Sequence, residues 1–324
     1  MSHNTRPSIA VVTPGGDAPG MNACIRAVVR EALVHGCSVY GVHRGYQGLI
    51  EGEIRPLDRH SVSGIINRGG TILKSTRCTR IRTAEGMRAA AAQLRRAGIS
   101  HLVVIGGDGS LAAGYRLSRR GFTVIGIPAS IDNDVYGTDE TIGFDTACDT
   151  AVEAIDKIRD TATSFDRIFV VEVMGREHGF IALNVGVASG AEFIILPERP
   201  LPVAEVCAGL RSMRTLGKSS VIIVFAEGAG DVRAFAQAVE EGTGVPTRVS
   251  SLGYIQRGGA PSARSRVLAA QFGAHAVRLI LRGARSRLVV LRRGAVTDAP
   301  FKSSVNRDRL LDVRIQKLAA ELTR

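Results

Sequence analysis

Two aspartates set two residues apart, Asp132 and Asp134, lie in the segment Pro128-Ala129-Ser130-Ile131-Asp132-Asn133-Asp134, just after the apolar run Val124–Ile127. Such a pair can divide labour, one carboxylate taking a proton as general base while the other serves a metal or orients the first. An Asp-Asn-Asp turn bonding its own backbone is the plainer alternative. Upstream, the run Leu102–Ile105 leads into Gly106, Gly107, Asp108, Gly109 and Ser110. Three glycines clear room for a polyphosphate, and the carboxylate among them can hold Mg²⁺ directly or through water. Near the start, Gly15 and Gly16 let the backbone approach an anion at the head of a helix, although a tight strand-to-helix turn explains them equally well. Arg257, within Leu252–Gly259, offers a guanidinium at a glycine-rich turn, either for bidentate contact with a phosphate dianion or simply in solvent.

The elements that must carry these residues are visible as short Val/Ile-rich runs, Ile9–Val12, Leu102–Ile105, Val124–Ile127, Ile168–Val173 and Val221–Phe225. They read as buried parallel strands. Between them lie segments of helical spacing, Asn22–His35, Glu85–Ala97, Ala147–Arg159, Ala204–Arg214 and Ser262–Arg282. This alternation predicts an α/β fold, with ligands at the carboxyl ends of the strands. A length of 324 residues suggests two domains at roughly 150 residues each. No linker, low-complexity segment or short-period repeat marks a seam, which is set near residue 143.

The overall charge narrows the possible partners. Forty-two Lys and Arg against 30 Asp and Glu leave a net +12, suited to nucleic acid, an acidic surface or small phosphorylated ligands. The basic residues are dispersed and aromatics make up only 5%, so a stacking platform for nucleic acid is disfavoured. No apolar run approaches the roughly 18 residues that span a bilayer, and the opening MSHNTRPS lacks a secretory apolar core, so no membrane partner and a cytoplasmic location are expected. Five scattered cysteines, Cys24, Cys37, Cys78, Cys148 and Cys207, read as reduced thiols.

GGDG-type loops also occur in NAD kinases and diacylglycerol kinases. The combination of GGDGS, PASIDND and LGYIQRGG resembles the 6-phosphofructokinase family instead, and the likeness runs through SVSGIINRGGTILKSTRC, TIGFDTACDTAVEAIDKIRDT, VVEVMGREHG and AEFIILPE, nearly the whole chain. The resemblance implies two Rossmann-like three-layer α/β domains with mostly parallel sheets and an active site in the cleft between them. Residues 1–143 plus 257–306 would form the larger, nucleotide-binding domain, and 144–256 plus 307–324 the smaller, sugar-phosphate-binding one. The reaction implied is Mg²⁺-dependent transfer of the ATP γ-phosphoryl to the 1-hydroxyl of fructose 6-phosphate.

By motif match Asp132 would be the base, assisted by Asp134, with Arg77 meeting the transferring group and Ser130 bonding the phosphoryl. Asp108 would hold Mg²⁺, while Gly16, Tyr46, Cys78, Arg82, Gly107, Gly109 and Ser110 would line the nucleotide. Met174, Gly175, Arg176, Glu227, Tyr254 and Arg257 would hold the sugar phosphate, together with Arg167 and Arg248 lent by a neighbouring subunit. A homo-oligomer, a tetramer by resemblance, follows. Arg26, Arg30, Arg59, Arg159, Glu192 and Lys218 match a family site for allosteric nucleoside diphosphate or phosphoenolpyruvate, though Leu216 and His60 depart from that pattern.

Pyrophosphate-using members carry Asp after GGD and Lys two residues before IDND, where this chain has Gly109 and Ala129, so ATP is the expected donor. Ala113 and Lys74 depart from the ATP-using pattern, as Tyr254 and Ser130 do from the usual His and Thr. A pyrophosphate-dependent enzyme and a catalytically silent metabolite-binding homologue are the alternatives.

Overall fold

The computed structural model describes residues 6–305 and 307–322, so residues 1–5, 306 and 323–324, which include ends of the expected domains, lie outside the described residues. In chain order the elements are β1 (Ser8–Val12), α1 (Met21–Val34), β2 (Ser38–Val42), α2 (Gly45–Glu51), β3 (Ile54–Pro56), α3 (Ala84–Arg96), β4 (His101–Gly106), α4 (Asp108–Ser118) and β5 (Thr123–Pro128). There follow α5 (Phe144–Phe165), β6 (Ile168–Val173), α6 (Phe180–Ala188), β7 (Phe193–Ile195), α7 (Val203–Thr215), β8 (Val221–Ala226), α8 (Val232–Thr243) and β9 (Thr247–Ser251). The chain ends with α9 (Ala263–Leu281), β10 (Arg287–Arg292), β11 (Ala295–Pro300) and α10 (Val313–Leu322). The fold is α/β, as the alternation predicts, and it divides into two compact units, Met1–Asp145 with Arg257–Arg309 and Thr146–Gln256 with Leu310–Arg324.

The first unit is a seven-stranded sheet in the order β11-β10-β5-β4-β1-β2-β3. Its five inner strands run parallel, and β3 and β11 close the two edges antiparallel. Ile9, Ala10, Val11 and Val12 have no exposed surface, because a parallel strand covered on both faces must be apolar throughout. Ala10, Val12, Leu102, Val104 and Val124 point to one face and pack with Leu49 of α2, Met87 and Leu94 of α3, and Leu111 and Leu117 of α4. On the other face α1 and α9 pack on each other. A Cβ at Gly273 would sit 2.8 Å from the carbonyl oxygen of Cys24, so only glycine lets these two helices come so close.

The second unit holds a wholly parallel four-stranded sheet, β7-β8-β6-β9. Its core joins Ile168, Val170, Val206, Leu210, Ile223, Phe225, Phe235 and Val239, with the rings of Phe225 and Phe235 5.1 Å apart. The helix expected over Ala147–Arg159 is longer at both ends, running Phe144–Phe165 as α5, and its first turn is tied by Ser262 Oγ donating to Asp145 Oδ2 at 2.5 Å. Among the described residues no helix is long and apolar enough to cross a membrane.

Asp231 caps α8, its Oδ1 accepting from the backbone N–H groups of Arg233 at 2.8 Å and Ala234 at 3.1 Å. Asp231→Ala strands both donors and is expected to lower the stability of the protein by about 1 kcal/mol. Urea unfolding followed by circular dichroism measures this, and an unchanged midpoint would count against the cap.

Candidate functional site

The strand order of the first unit reverses direction between β1 and β4. From β1 the chain passes through α1 to β2 on one side, whereas β4 and β5 extend the sheet on the other. The loops leaving β1 and β4 therefore open side by side at the carboxyl end of the sheet, where α/β folds bind ligands. They are joined directly, Ser110 Oγ donating to the carbonyl of Pro14 at 2.7 Å. Gly15 has φ +92, and a Cβ there would lie 2.7 Å from Ser110 Oγ, so the turn requires glycine for both conformation and space.

A third segment is laid against the β1 loop by long-range bonds. Asn22, 1% exposed in the first turn of α1, donates through Nδ2 to the carbonyls of Arg68 (3.0 Å) and Gly69 (3.1 Å) and accepts from the N–H of Ile72 at 2.8 Å. Thr13 and Thr71 share a hydroxyl bond of 2.9 Å, and Ser75 Oγ donates to the Gly15 carbonyl at 2.7 Å. Arg77, exposed, and Cys78, whose Sγ donates to Gln47 Oε1 at 3.3 Å, follow at once. Lys74, in the same stretch, is a non-glycine residue at φ +58.

The aspartate pair arrives from β5. Parallel register sets Gly106 opposite Pro128, and the N–H of Ala129 donates to the Gly106 carbonyl at 3.1 Å, so PASIDND lies beside GGDGS. Asp132 and Asn133 are each 3% exposed. Asn133 adopts φ +54, and its Oδ1 accepts from Thr141 N at 3.0 Å and Thr141 Oγ1 at 3.2 Å. A turn bonding only its own backbone does not describe this segment, which is braced from eight residues further on. Ser130 Oγ accepts from the N–H of Asp132 at 3.2 Å, which leaves its O–H as the donor, while Oδ1 of Asp134 is buried with no hydrogen-bond partner among the described residues. A buried carboxylate oxygen in that state is suited to a ligand proton or cation.

Asp108 opens α4, where its charge also complements the helix dipole. Among the described residues no three His, Cys, Asp or Glu side chains gather into a metal cluster. A single carboxylate in a glycine loop fits Mg²⁺, which takes most of its oxygens from phosphate and water. A Cβ at Gly109 would meet Arg82 Nη2 at 3.9 Å, and one at Gly16 would meet Arg257 Nη1 at 3.8 Å, so two guanidinium groups face the two glycine loops. Tyr46 is 3% exposed and its hydroxyl donates to the Ser110 carbonyl at 2.6 Å, with burial raising its pKa above the usual phenol range. Tyr46 thus supports the Gly106–Ser110 loop through that carbonyl. Ala113 lies buried on α4.

In the second unit Met174, Gly175 and Arg176 leave the carboxyl end of β6, and Glu227 leaves that of β8. Glu227 Oε1 accepts from the N–H groups of Gly175 (3.1 Å) and Arg176 (2.5 Å), and Gln256 Oε1 accepts from Met174 N at 2.9 Å. Gln256 is fully buried, a positioning role that its type and neighbours in sequence do not reveal. Arg176 itself is exposed, as is Tyr254 at 79%. Arg167 precedes β6, its guanidinium 4.7 Å from the Phe165 ring, and Arg248 pairs with Phe169 near the start of β9, 3.8 Å from Glu240. Both arginines sit at the amino ends of their strands, about 20 Å from the Met174–Arg176 cluster at the strand rise of roughly 3.3 Å per residue.

The six expected effector residues are distributed over both units. Glu192, 5% exposed, binds Lys218 Nζ at 2.5 Å, has Arg159 Nη1 at 3.7 Å, and accepts from Ile222 N at 2.7 Å. Arg26 and Arg30 lie one turn apart on α1, and burial followed by the Arg30 charge lowers the pKa of Arg26. Arg59 is exposed beyond β3.

Comparison with known proteins matches residues 8–280 to the phosphofructokinase family model. Proteins named ATP-dependent 6-phosphofructokinase from Lysinibacillus sphaericus and Bacillus subtilis are 50% and 48% identical over 315 residues, 97% of this chain and 99% of each relative. The structure of Pichia pastoris phosphofructokinase in the T-state superposes with a TM-score of 0.88 at 35% identity, covering 99% of this chain and 37% of that longer one. A pyrophosphate-dependent phosphofructokinase from Marinobacter aquaeolei, 24% identical, shares the fold at a TM-score of 0.84 over 95% of this chain and 86% of that one. With its sheets, glycine loops and aspartate pair accounted for along nearly its whole length, the chain belongs to the phosphofructokinase family.

Proposed function

We propose that this chain is an ATP-dependent 6-phosphofructokinase that transfers the γ-phosphoryl of ATP to the 1-hydroxyl of fructose 6-phosphate, with Asp132 as general base. The observation that carries the residue-level reading is the side-by-side arrangement of GGDGS and PASIDND at the carboxyl ends of β4 and β5. The donor rests on relatives of about half identity that are named ATP-dependent. The absence of a side chain at Gly109, where a Cβ would already touch Arg82 Nη2 at 3.9 Å, supports the same donor.

Asp132 takes the proton of the sugar hydroxyl as the O–P bond forms, and Asp134 keeps the base oriented. Arg77 and Arg82 meet charge on the transferring group and the nucleotide, a purpose for which fixed cations serve better than water. Ser110, held by Pro14 and Tyr46, shapes the loop that receives the phosphates. Asp108 would hold Mg²⁺, which when bound neutralises phosphate charge. Met174, Gly175, Arg176 and Glu227 hold the sugar, and Tyr254 and Arg257 its phosphate. Arg167 and Arg248 lie at the far ends of their strands from Glu227, which fits their service to another copy in a homo-oligomer. Lys218, Arg159, Arg26, Arg30 and Arg59 are the cations available to an allosteric polyanion, which would have to compete with Glu192 for the first two. Cytoplasmic residence goes with this reading.

Purified protein supplied with fructose 6-phosphate and Mg²⁺ is expected to form fructose 1,6-bisphosphate with ATP and not with pyrophosphate. Product with pyrophosphate alone would overturn the donor. Asp132→Asn is expected to lower kcat by about 10²- to 10⁴-fold with little change in KM for the sugar phosphate. An unchanged kcat would remove the base assignment.

The donor pocket has its own variant. Gly109 has no left-handed backbone and its Cβ position is at ordinary contact distance, so Gly109→Asp is expected to fold. Its carboxylate repels the nucleotide phosphates and should raise KM for ATP by roughly tenfold or more. Steady-state kinetics at saturating sugar phosphate would show this, and an unchanged KM would place the nucleotide elsewhere.

A further inference from the structure

The loop that carries the two aspartates is held by arginines from the far end of the chain. Arg292 Nε donates to the Gly137 carbonyl at 2.9 Å, and Arg307 lies over the Tyr136 ring at 5.2 Å. Arg309 reaches closer to the aspartates: Nη1 donates to the carbonyl of Asn133 at 2.5 Å and Nη2 to the carbonyl of Asp139 at 2.6 Å. The Asn133 carbonyl belongs to the peptide that joins Asn133 to Asp134. One rigid guanidinium therefore spans the loop from its aspartate end to its return, a geometry that a flexible ammonium does not reproduce.

Asn133 is where that support acts. It is buried at φ +54 and set directly between the two carboxylates. Asparagine takes left-handed backbone more readily than other non-glycine residues, and here both its side chain and its carbonyl are held. Its side chain is held by Thr141, and its carbonyl by Arg309. Arg309 is also the last residue of the first unit before the chain passes into the second.

On the catalytic reading above, we propose that Arg309 is a positioning residue for Asp132 and Asp134, its guanidinium fixing the Asn133 carbonyl and with it the direction of both carboxylates. The group touches no reacting atom. Its loss lets the peptide rotate, so the base is misplaced while the nucleotide and sugar contacts remain. Misplacement of a reacting group by about 1 Å can cost 10²-fold in rate.

The test compares Arg309→Met, Arg309→Lys, Arg307→Met and Asp132→Asn in the full-length protein, with circular dichroism to establish folding. Arg309→Met is expected to lower kcat by about 10- to 100-fold with both KM values within about twofold of the parent. Arg309→Lys keeps the charge without the fork and should fall between parent and Met variant. Arg307→Met, which leaves the Asn133 carbonyl bonded, should keep kcat within about twofold. If folded Arg309→Met retains its kcat while Asp132→Asn loses it, the positioning role is overturned and the base assignment stands. If Asp132→Asn is fully active, the catalytic reading itself fails. Should Arg309→Met not fold, the Lys variant decides: unchanged kcat overturns the proposal, and a fall in kcat at constant KM supports it.

Discussion

The parallel register of β1, β4 and β5 is the constraint on which the rest of the site depends. It sets Gly106 opposite Pro128 and Val12 opposite Val104, so that β4 and β5 end level, β1 ends two residues before them, and the three loops leave from one end of the sheet. A slip of one residue would turn Val104 and Val124 from the face under α3 and α4 to the opposite one, against side chains they do not fit, and carry Asp108 and Asp132 out of step with each other. These ends are then locked from above by Ser110 Oγ on the Pro14 carbonyl. Gly106 shows how little slack is left, since a Cβ there would lie 2.9 Å from Ser110 Cβ and 3.0 Å from the Pro14 oxygen. The apolar runs bury the strands, and the glycines let their loops touch.

Charge follows the same division. Much of the excess positive charge is matched locally: Arg44 binds both Glu51 and Glu53, Arg264 binds Glu140, and Arg278 binds Glu31. Such exposed pairs contribute little to stability. Glu192 differs because it is buried, and breaking a buried pair by removing one partner leaves an uncompensated charge. Lys218 and Arg159 thus have a structural reason to be where they are, whatever else they bind.

The central strands and the two chemical loops were legible because each is written locally. Val/Ile runs announce strands buried on both faces, and GGDGS and IDND announce loops in which backbone room and carboxylates coincide. α6 was invisible for the opposite reason: Phe180–Ala188 is apolar on nearly every side, so no 3.6-residue period emerges. β3 and β7, of three residues each, are too short to carry a pattern. The bracing residues were missed as a class. Asn22 reaches residues 46 to 50 positions away, Gln256 reaches 82, and Arg309 reaches 176. Nothing in the neighbourhood of such a residue in sequence records its partner. The family resemblance did not supply these either: Gln256 lies within LGYIQRGG but the motif carried over only the residues that meet the ligand, and Asn22 and Arg309 lie outside the motifs that carried it.

The placement of the remaining arginines bears on how one chain could complete its site. In the second unit the backbone N–H groups of Gly175 and Arg176 are gathered by Glu227 at the carboxyl ends of β6 and β8. Arg167 and Arg248 stand at the amino ends of β6 and β9, several residues of extended strand away from that cluster. A parallel sheet has two chemically different ends, and a residue at one cannot reach a ligand at the other within the same sheet. If these two arginines meet the sugar phosphate held near Glu227, they must do so from a second copy, and the oligomer then becomes a catalytic requirement. The fold would thereby make activity depend on assembly through strand polarity alone.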